Sequence, residues 1–276
     1  MIKEGINKQK MTFREGSCAI GGWLALKRIL CVVFSIICFG ILYIHELHQQ
    51  KQIEAMEERI TLLQAESNKK VVQWDSENYN YLAIGNSITV HGINDYWWNE
   101  CGMAASTLEN DYVHQISTMI DATEFAYNFS IWELTATDRG QTLSLLDGML
   151  SDEIDLITIQ LSENVSDLAT FESDFEEMIR YIQERCSNAQ IIVIGDFWDT
   201  DTKDGMKTVA CDNTGAFFVS LDAIKKPEYK CEIGTEVYDL EGYAHIVEHK
   251  GVSLHPNDKG MKWIADRIVE KVKRAN

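Results

Sequence analysis

Residues 81–92 read YLAIGNSITVHG, an apolar run that stops abruptly at Gly85, Asn86 and Ser87. A short apolar run bounded by turn residues is typical of a buried strand. Asn and Ser after a strand usually form a turn. A strand that ends in this way can also present a reactive serine at the edge of a sheet, and the rest of the chain has to distinguish the two.

The chain beyond residue 70 alternates apolar strand-like runs with helical segments. Strands are predicted at 80–85, 124–130, 155–162, 190–197 and 216–221, and helices at 106–120 (capped by Ser106 or Thr107), 137–150, 171–186 and 257–274. Continuous apolar strands followed by helices indicate a parallel sheet that is buried on both faces. The sequence therefore predicts an α/β fold, a doubly wound three-layer sandwich with a mostly parallel five-stranded sheet.

Function in such sheets lies beyond the carboxyl ends of the strands. Ser87 follows the first strand, Asn164 follows the third, and His255 precedes the last helix at the same edge. Imidazole can take the serine proton and pass it to a leaving group. The amide of Asn164 and the backbone N–H of Ser87 can stabilise a developing oxyanion. These three side chains are the predicted catalytic residues.

Other familiar motifs are excluded by single positions. The G-x-S-x-G elbow requires glycine where Thr89 stands. A phosphate loop would need Gly-Lys-Ser/Thr after the strand, which is missing. No Cys or His spacing suits zinc. The sequence therefore predicts neither a metal nor a cofactor.

The polar segments together resemble the SGNH (GDSL-like) hydrolase family over roughly residues 78–274. IGNSIT (84–89) is similar to the family block that carries the nucleophile, which usually reads Gly-Asp-Ser. QLSEN (160–164) is similar to the block that carries the oxyanion asparagine. SLHPNDKGM (253–261) is similar to the block that carries the catalytic histidine. The resemblance implies the SGNH, flavodoxin-like fold and ester hydrolysis by Ser87, Asn164 and His255. Asn86, at the usual Asp position, is expected to shape the turn.

The first departure from the family pattern concerns the acid of the triad. Val252 stands three residues before His255, where the family usually has Asp. The imidazole is then oriented by a backbone carbonyl or by an acid elsewhere, such as Glu248 or Asp258. Asp258 has a simpler role as a helix-N-terminal acid favoured by the helix dipole.

The second departure is the absence of two family glycines that lie near the oxyanion. The segment YNFSIWE (127–133) lacks the glycine of the second block, so Ser130 or Ile131 is expected to supply the backbone N–H. Ser162 replaces the glycine of the third block.

Four tryptophans near the predicted edge are candidates for a substrate cleft, because indole faces suit sugar rings: Trp97, Trp98, Trp132 and Trp198. For Trp97 and Trp98 the alternative is core packing around the first helix. Glu133 and Glu163 at the same edge allow a two-carboxylate glycosidase in principle. That interpretation leaves the serine, asparagine and histidine unexplained.

The charge of the chain is divided unevenly. Residues 1–70 hold 10 Lys/Arg and 7 Asp/Glu, whereas residues 71–276 hold 15 and 36, so the body is strongly acidic. An acidic body repels a phosphate backbone, which argues against a nucleic-acid partner.

The N-terminal region is predicted to be a membrane anchor. Residues 29–44 (ILCVVFSIICFGILYI) carry no charge, and basic residues outnumber acidic ones in the tail 1–28. The positive-inside rule leaves this tail in the cytoplasm and the body, residues 71–276, outside. A buried core helix and a cleaved signal peptide are the alternatives.

Residues 45–70 are predicted to form a helical stalk. Ile53, Met56, Ile60 and Leu63 have a 3-4-3 spacing, an a/d seam of about two heptads that is short for a coiled coil. The alternative to a plain stalk is a weak homodimer through this seam.

The body contains Cys101, Cys186, Cys211 and Cys231. An extracytoplasmic location would permit disulfides, and Cys211–Cys231 is the first pair to test.

The sequence thus predicts a membrane-anchored, extracytoplasmic ester hydrolase, whose substrate the family resemblance suggests is an acetylated surface glycan. A fold that has lost activity and binds glycan or a protein partner, and an acyltransferase to a surface polymer, are the alternatives.

Overall fold

A computed structural model describes residues 9–136, 138–198 and 201–272. The chain divides into two compact units between Thr61 and Leu62. This division falls within the predicted stalk, and the side chains of Leu62 and Ala65 pack in a core cluster of the second unit.

The first helix, α1, runs from Gln9 to Ser67. The described residues hold one helix that is long and apolar enough to cross a membrane, Leu30–Ser67, with a mean hydropathy of 2.2 in its best window. The side chains of the predicted seam, Ile53, Met56, Ile60 and Leu63, are exposed. Dimerisation through this seam stays a prediction.

The second unit is built on a five-stranded sheet. The strands are β1 Tyr79–Gly85, β2 Ala122–Asn128, β3 Leu156–Gln160, β4 Gln190–Ile194 and β5 Phe217–Val219. Their order is β2-β1-β3-β4-β5, and every pair is parallel. All five predicted strands are confirmed. Because the chain crosses from β2 over β1 to β3, the switch point of the sheet lies between β1 and β3, where ligands bind in sheets of this order.

The sheet is buried on both faces, as its apolar strands predict. Along β1, Tyr81 and Ala83 enter one core cluster while Leu82 and Ile84 enter the other. Helices α2 (Tyr112–Ile120) and α6 (Asp258–Val269) contribute to the first cluster, and α4 (Phe171–Gln183) and α5 (Asp201–Thr214) to the second. The three-layer, doubly wound α/β fold is confirmed.

Shorter elements complete the unit. Helix α3 is Ser130–Leu134, and an antiparallel hairpin is formed by β6 (Glu236–Tyr238) and β7 (Ala244–Ile246). Turns of 3₁₀ helix are Leu108–Asn110, Arg139–Leu146, Asp222–Ile224, Pro227–Tyr229 and Val252–Leu254.

Several predicted helices differ from the observed ones. The helix predicted from 106 begins at Tyr112, because Asp111 caps it by accepting from the backbone N–H of His114 at 2.8 Å. The helix predicted at 137–150 is the 3₁₀ segment Arg139–Leu146. The last helix ends at Val269, and the predicted end at residue 274 lies outside the described residues. Helix α5 was not predicted.

Cys211 and Cys231, the first pair to test for a disulfide, do not form one. Cys211 is buried in the cluster on one face of the sheet and Cys231 in the cluster on the other, so the sheet separates the two sulfur atoms. Both are free thiols.

Candidate active site

The end of β1 is a tight turn that requires its glycine. A Cβ on Gly85 would lie 1.8 Å from Thr89 Oγ1 and 2.8 Å from the carbonyl oxygen of Gln160. The turn then closes through Asn86, whose side-chain oxygen accepts from Ile88 N at 3.0 Å and whose carbonyl accepts from Thr89 N at 3.0 Å. Ser87 is therefore presented half-buried at the carboxyl end of the sheet.

Ser87 and His255 meet although 168 positions separate them in the sequence. The Oγ of Ser87 lies 2.8 Å from Nε2 of His255, and Nδ1 of His255 lies 2.9 Å from the carbonyl oxygen of Gly251. A carbonyl oxygen can only accept, so Nδ1 carries the hydrogen. In the neutral ring Nε2 then accepts from the Ser87 hydroxyl, which is the arrangement a general base needs.

Backbone hydrogen bonds hold His255 in place. Its N–H donates to Val252 O at 3.0 Å, and its own carbonyl accepts from Cys231 N at 2.9 Å. Asn257, two residues on, caps α6 by accepting from Gly260 N at 3.0 Å. The final helix and the Val252–Leu254 turn thus fix the imidazole from both sides.

The surroundings of His255 keep the imidazole neutral. Burial, with a smaller contribution from nearby His91, lowers the pKa of His255 to about 4 against the opposing hydrogen bond to Gly251. The Trp198 ring meets the imidazole edge-on at 4.9 Å, while its own Nε1 donates to Leu254 O at 2.7 Å. Of the four predicted cleft tryptophans, Trp198 contacts the catalytic histidine candidate, His255.

The group on Nδ1 is the Gly251 carbonyl, one of the alternatives that the sequence left open. Val252, at the position of the family's acid, is fully buried in the apolar core. Glu248 is exposed and lines a surface cavity elsewhere. Asp258 accepts from Ser106 N at 2.7 Å and Ser106 Oγ at 2.5 Å, so it does not orient the histidine.

Asn164 is exposed beyond β3, and one hydrogen of its side-chain amide is engaged. Its Nδ2 donates to Glu133 Oε2 at 2.7 Å. An amide nitrogen carries two hydrogens, so the second is free to meet an oxyanion. Among the residues that the structure describes, none accepts from the backbone N–H of Ser87.

The two positions where glycine was expected behave differently. Ser162 has φ +140°, a conformation that favours glycine, and its N–H donates to Glu133 Oε1 at 2.6 Å. Its hydroxyl donates to Asp196 Oδ2 at 3.0 Å and accepts from Lys207 Nζ at 3.0 Å. The Ser130 N–H donates to Asn128 Oδ1 at 3.1 Å, so it is already paired.

Two of the tryptophans are core residues, which corrects their assignment to a cleft. Trp97 (1% exposed) and Trp132 (0% exposed) lie in opposite core clusters. Trp98 is half-buried and stacks on His245 with ring centroids 4.4 Å apart. It lines a cavity of about 480 Å³ with Asp95, Tyr96, Ile246, Glu248 and His249.

Sequence reasoning missed a buried polar network behind the turn. Lys207 of α5 donates to Ile194 O at 2.9 Å, and Lys203 donates to Ser162 O at 2.8 Å, so both lysines bind the ends of strands. Glu133 and Glu163, considered as glycosidase acids, are instead acceptors inside the protein. The sequence signal for this network was a pair of lysines four residues apart, Lys203 and Lys207, in an otherwise polar segment.

Glu163 is the second acid of this network. Its Oε2 accepts from Asn86 Nδ2 at 2.7 Å, and its Oε1 lies 2.6 Å from Gln160 Nε2. Burial and the charge of Asp196 raise the pKa of Glu163 to about 8 against the opposing effect of Lys207. This carboxyl is therefore mostly protonated at neutral pH. In the described ranges, no cluster of three His, Cys, Asp or Glu is placed to hold a metal ion.

No family model and no curated protein matches the sequence. Solved structures similar to the chain at low identity include the following three. A phospholipase A1 from Streptomyces albidoflavus is 11% identical, with a TM-score of 0.48 over 71% of this chain and 100% of its own. A protein from Bacteroides uniformis described as a GDSL-like lipase is 15% identical, with 0.48 over 70% and 95%. A family two carbohydrate esterase from Cellvibrio japonicus is 13% identical, with 0.45 over 72% and 61%. The chemistry of the site therefore rests on this chain's own geometry.

Proposed function

We propose that this protein is a serine hydrolase that cleaves an ester bond, with Ser87 as nucleophile and His255 as general base and acid. The observation that carries the proposal is the pairing of Ser87 Oγ with His255 Nε2 at 2.8 Å while Nδ1 is tied to Gly251 O. Nucleophile, base and orienting group thus stand in line, which is the arrangement of an activated serine.

The proposed reaction has two halves. Ser87 Oγ attacks the ester carbonyl as Nε2 of His255 takes its proton, and the oxyanion accepts from the Ser87 N–H and the free hydrogen of Asn164 Nδ2. The imidazolium then protonates the leaving alcohol and an acyl-serine remains. Water, deprotonated by Nε2, then attacks the acyl-serine, and the imidazolium returns that proton to Ser87 Oγ as the C–O bond to the serine breaks and the carboxylic acid leaves.

We assign the substrate to the extracytoplasmic side, as an O-acetylated surface glycan. The apolar helix Leu30–Ser67 and the basic tail before it support an anchor with the body outside. The half-buried Ser87 supports an acyl group that protrudes from a larger molecule, because a small group can reach the nucleophile there.

The test is hydrolysis of 4-nitrophenyl acetate by the full chain in detergent, compared with Ser87→Ala and His255→Ala. Ser173→Ala is the matched control, since Ser173 is an exposed serine on α4 that bonds Thr170 O. We expect turnover by the wild type and the control and loss in the other two. Equal rates in all four proteins would remove the assignment.

One observation favours a catalytically impaired surface module that binds glycan or a partner. The imidazole is paired with a carbonyl instead of a carboxylate, and loss of a triad acid can cost about 10⁴-fold in rate. A fluorophosphonate probe separates the two functions, because an unactivated serine reacts slowly. Failure of the probe to label Ser87, with no turnover, would favour the binding module.

A further inference from the structure

Glu133, which follows β2, is a buried acceptor for residues that follow two other strands, β1 and β3. It lies in α3, just after β2, and is only 2% exposed. Its Oε1 accepts from Asn86 Nδ2 at 3.1 Å, after β1, and from Ser162 N at 2.6 Å, after β3. Its Oε2 accepts from Asn164 Nδ2 at 2.7 Å. One carboxyl group thus joins the nucleophile turn to the proposed oxyanion asparagine.

The contacts of Glu133 call for an ionised carboxylate. Each of its partners is an N–H donor, and a fourth, Asn164 N, lies 3.4 Å from Oε1. An ionised carboxylate accepts at both oxygens, whereas a neutral amide of the same shape presents two donors at one end. Leaving a buried N–H without an acceptor costs about 1–3 kcal/mol.

Glu163 offers an internal comparison, because it touches the same Asn86 amide. Asn86 Nδ2 has one hydrogen for each glutamate, and two adjacent buried carboxylates do not both ionise readily. Gln160 Nε2 donates to Glu163 Oε1 at 2.6 Å and Phe197 N donates to the same oxygen at 3.1 Å, so N–H donors surround this carboxyl as well. Burial and the charge of Asp196 nevertheless raise the pKa of Glu163. Glu163 is the glutamate of this pair that carries the proton.

We propose that Glu133 is a positioning residue for the reaction, whose carboxylate aligns the Asn86 turn that carries Ser87 with the side-chain amide of Asn164. The proposal rests on the hydrolase function above and adds a residue to it. Glu133 does not touch the reacting atoms. It acts by fixing the spacing between the nucleophile and the oxyanion donor, which follow neighbouring strands β1 and β3.

The experiment compares three Glu→Gln variants of the full chain in detergent with 4-nitrophenyl acetate as substrate. For Glu133→Gln we expect kcat to fall about 100-fold with KM little changed, since losing one oxyanion donor costs about 10²–10³-fold. Glu163→Gln should lose far less, because an amide replaces a neutral acid. Glu172→Gln, an exposed position in the first turn of α4, is the matched control and should keep the wild-type rate.

A double-mutant cycle tests whether Glu133 acts through Asn164. Asn164→Ala and Glu133→Gln should each lower kcat, and the double variant should be little worse than Glu133→Gln alone. Glu133→Asp, which keeps the charge, should recover part of the loss. Additive effects, or an equal loss in Glu133→Gln and Glu163→Gln, would overturn the proposal.

A readout that is independent of turnover separates this proposal from the function it rests on. Amide hydrogen exchange of residues 85–90 and 161–165 should speed up in Glu133→Gln, while the strand segment 190–194 keeps its protection. If the wild type has no esterase activity but these segments respond, the hydrolase assignment fails and the positioning role stands. If Glu133→Gln exchanges like the wild type, the positioning role fails.

Discussion

The nucleophile and the base of this site are held by different kinds of contact. The turn that carries Ser87 is held by side chains in addition to its backbone hydrogen bonds, because Asn86 bonds one buried and one half-buried glutamate from other segments. His255 is fixed by the main chain, through Gly251 O and Val252 O. A side-chain contact disappears with one substitution, whereas a carbonyl remains whichever residue carries it. The position of Ser87 should therefore be sensitive to substitution of the side chains that hold its turn. The position of His255 should be sensitive to changes in the backbone around it.

The largest effect should come from removing either member of the Ser87–His255 pair. Ser87→Ala and His255→Ala should each lower kcat by about 10⁴-fold or more, and the double variant should lose little beyond either, because members of one catalytic unit act together. Single-turnover and steady-state rates of the three variants measure this. Strictly multiplicative losses would mean that serine and histidine work separately.

The second-largest effect should come from a substitution that displaces the backbone of the turn before Ser87. Gly85→Ala places a Cβ 1.8 Å from Thr89 Oγ1 and 2.8 Å from Gln160 O, so the turn must move. We expect a loss of about 3 kcal/mol in the free energy of unfolding, at the upper end of overpacking. Urea unfolding measures it, with Gly92→Ala as the control, since a Cβ there meets nothing within 4 Å. An equal stability of the two variants would contradict this reading of the turn.

The ionisation of His255 should set the pH dependence of the reaction rate. With the pKa of His255 lowered to about 4 by burial, kcat/KM should rise as pH increases through about 4 and stay level through neutral pH, because only the neutral imidazole accepts the serine proton. A pH–rate profile of the wild type measures this. An inflection near 6.5, the ordinary value for histidine, would show that the imidazole is hydrated in solution.

The lowered pKa of His255 also makes the stability of the fold depend on pH. The unfolded chain binds this proton near pH 6.5 and the folded protein near pH 4, so stability is lost as pH falls between these values. Glu163 should have the opposite effect on stability. Its raised pKa lets the folded protein keep a proton that the unfolded chain releases, so the free energy of unfolding should fall as pH rises from about 4.5 to 8. Thermal unfolding of Glu163→Gln should lack this second loss.

The smallest effect separates Asp258 from the base. Asp258→Asn weakens the contacts to Ser106 and should cost about 1 kcal/mol of stability, while the pH–rate profile keeps its shape, because Nδ1 of His255 pairs with Gly251 O. Chemical unfolding and the rate profile are measured on one preparation. A tenfold fall in kcat would return Asp258 to the list of acids that orient the histidine.

Local patterns in the sequence predicted much of this fold. The apolar runs that became β1, β3 and β4 are visible because strands that are buried on both faces carry mostly apolar side chains, although Asn80, Thr158 and Gln160 are buried polar exceptions. Helix α5 was missed because its inward face includes Lys203 and Lys207, whose partners are carbonyl oxygens at strand ends, and no apolar stripe marks it.

The site was predicted less completely than the fold. Ser87 and His255 have short motifs, and the structure brings them together. Glu133 carries no local signal, because its partners lie 29 to 47 positions away and its role exists only once β1 and β3 are adjacent. Trp132 and Trp98 show the same limit, since nothing local tells a fully buried indole from a half-buried one.

The buried thiols provide a way to follow the two layers of the fold separately. Cys101 and Cys231 lie in the cluster under α2 and α6, and Cys186 and Cys211 lie in the cluster under α4 and α5. All four are free, and burial raises the pKa of each thiol, so reaction with an alkylating reagent requires local opening. Labelling rates would therefore show whether one side of the sheet opens while the other stays closed, with no foreign probe in the chain.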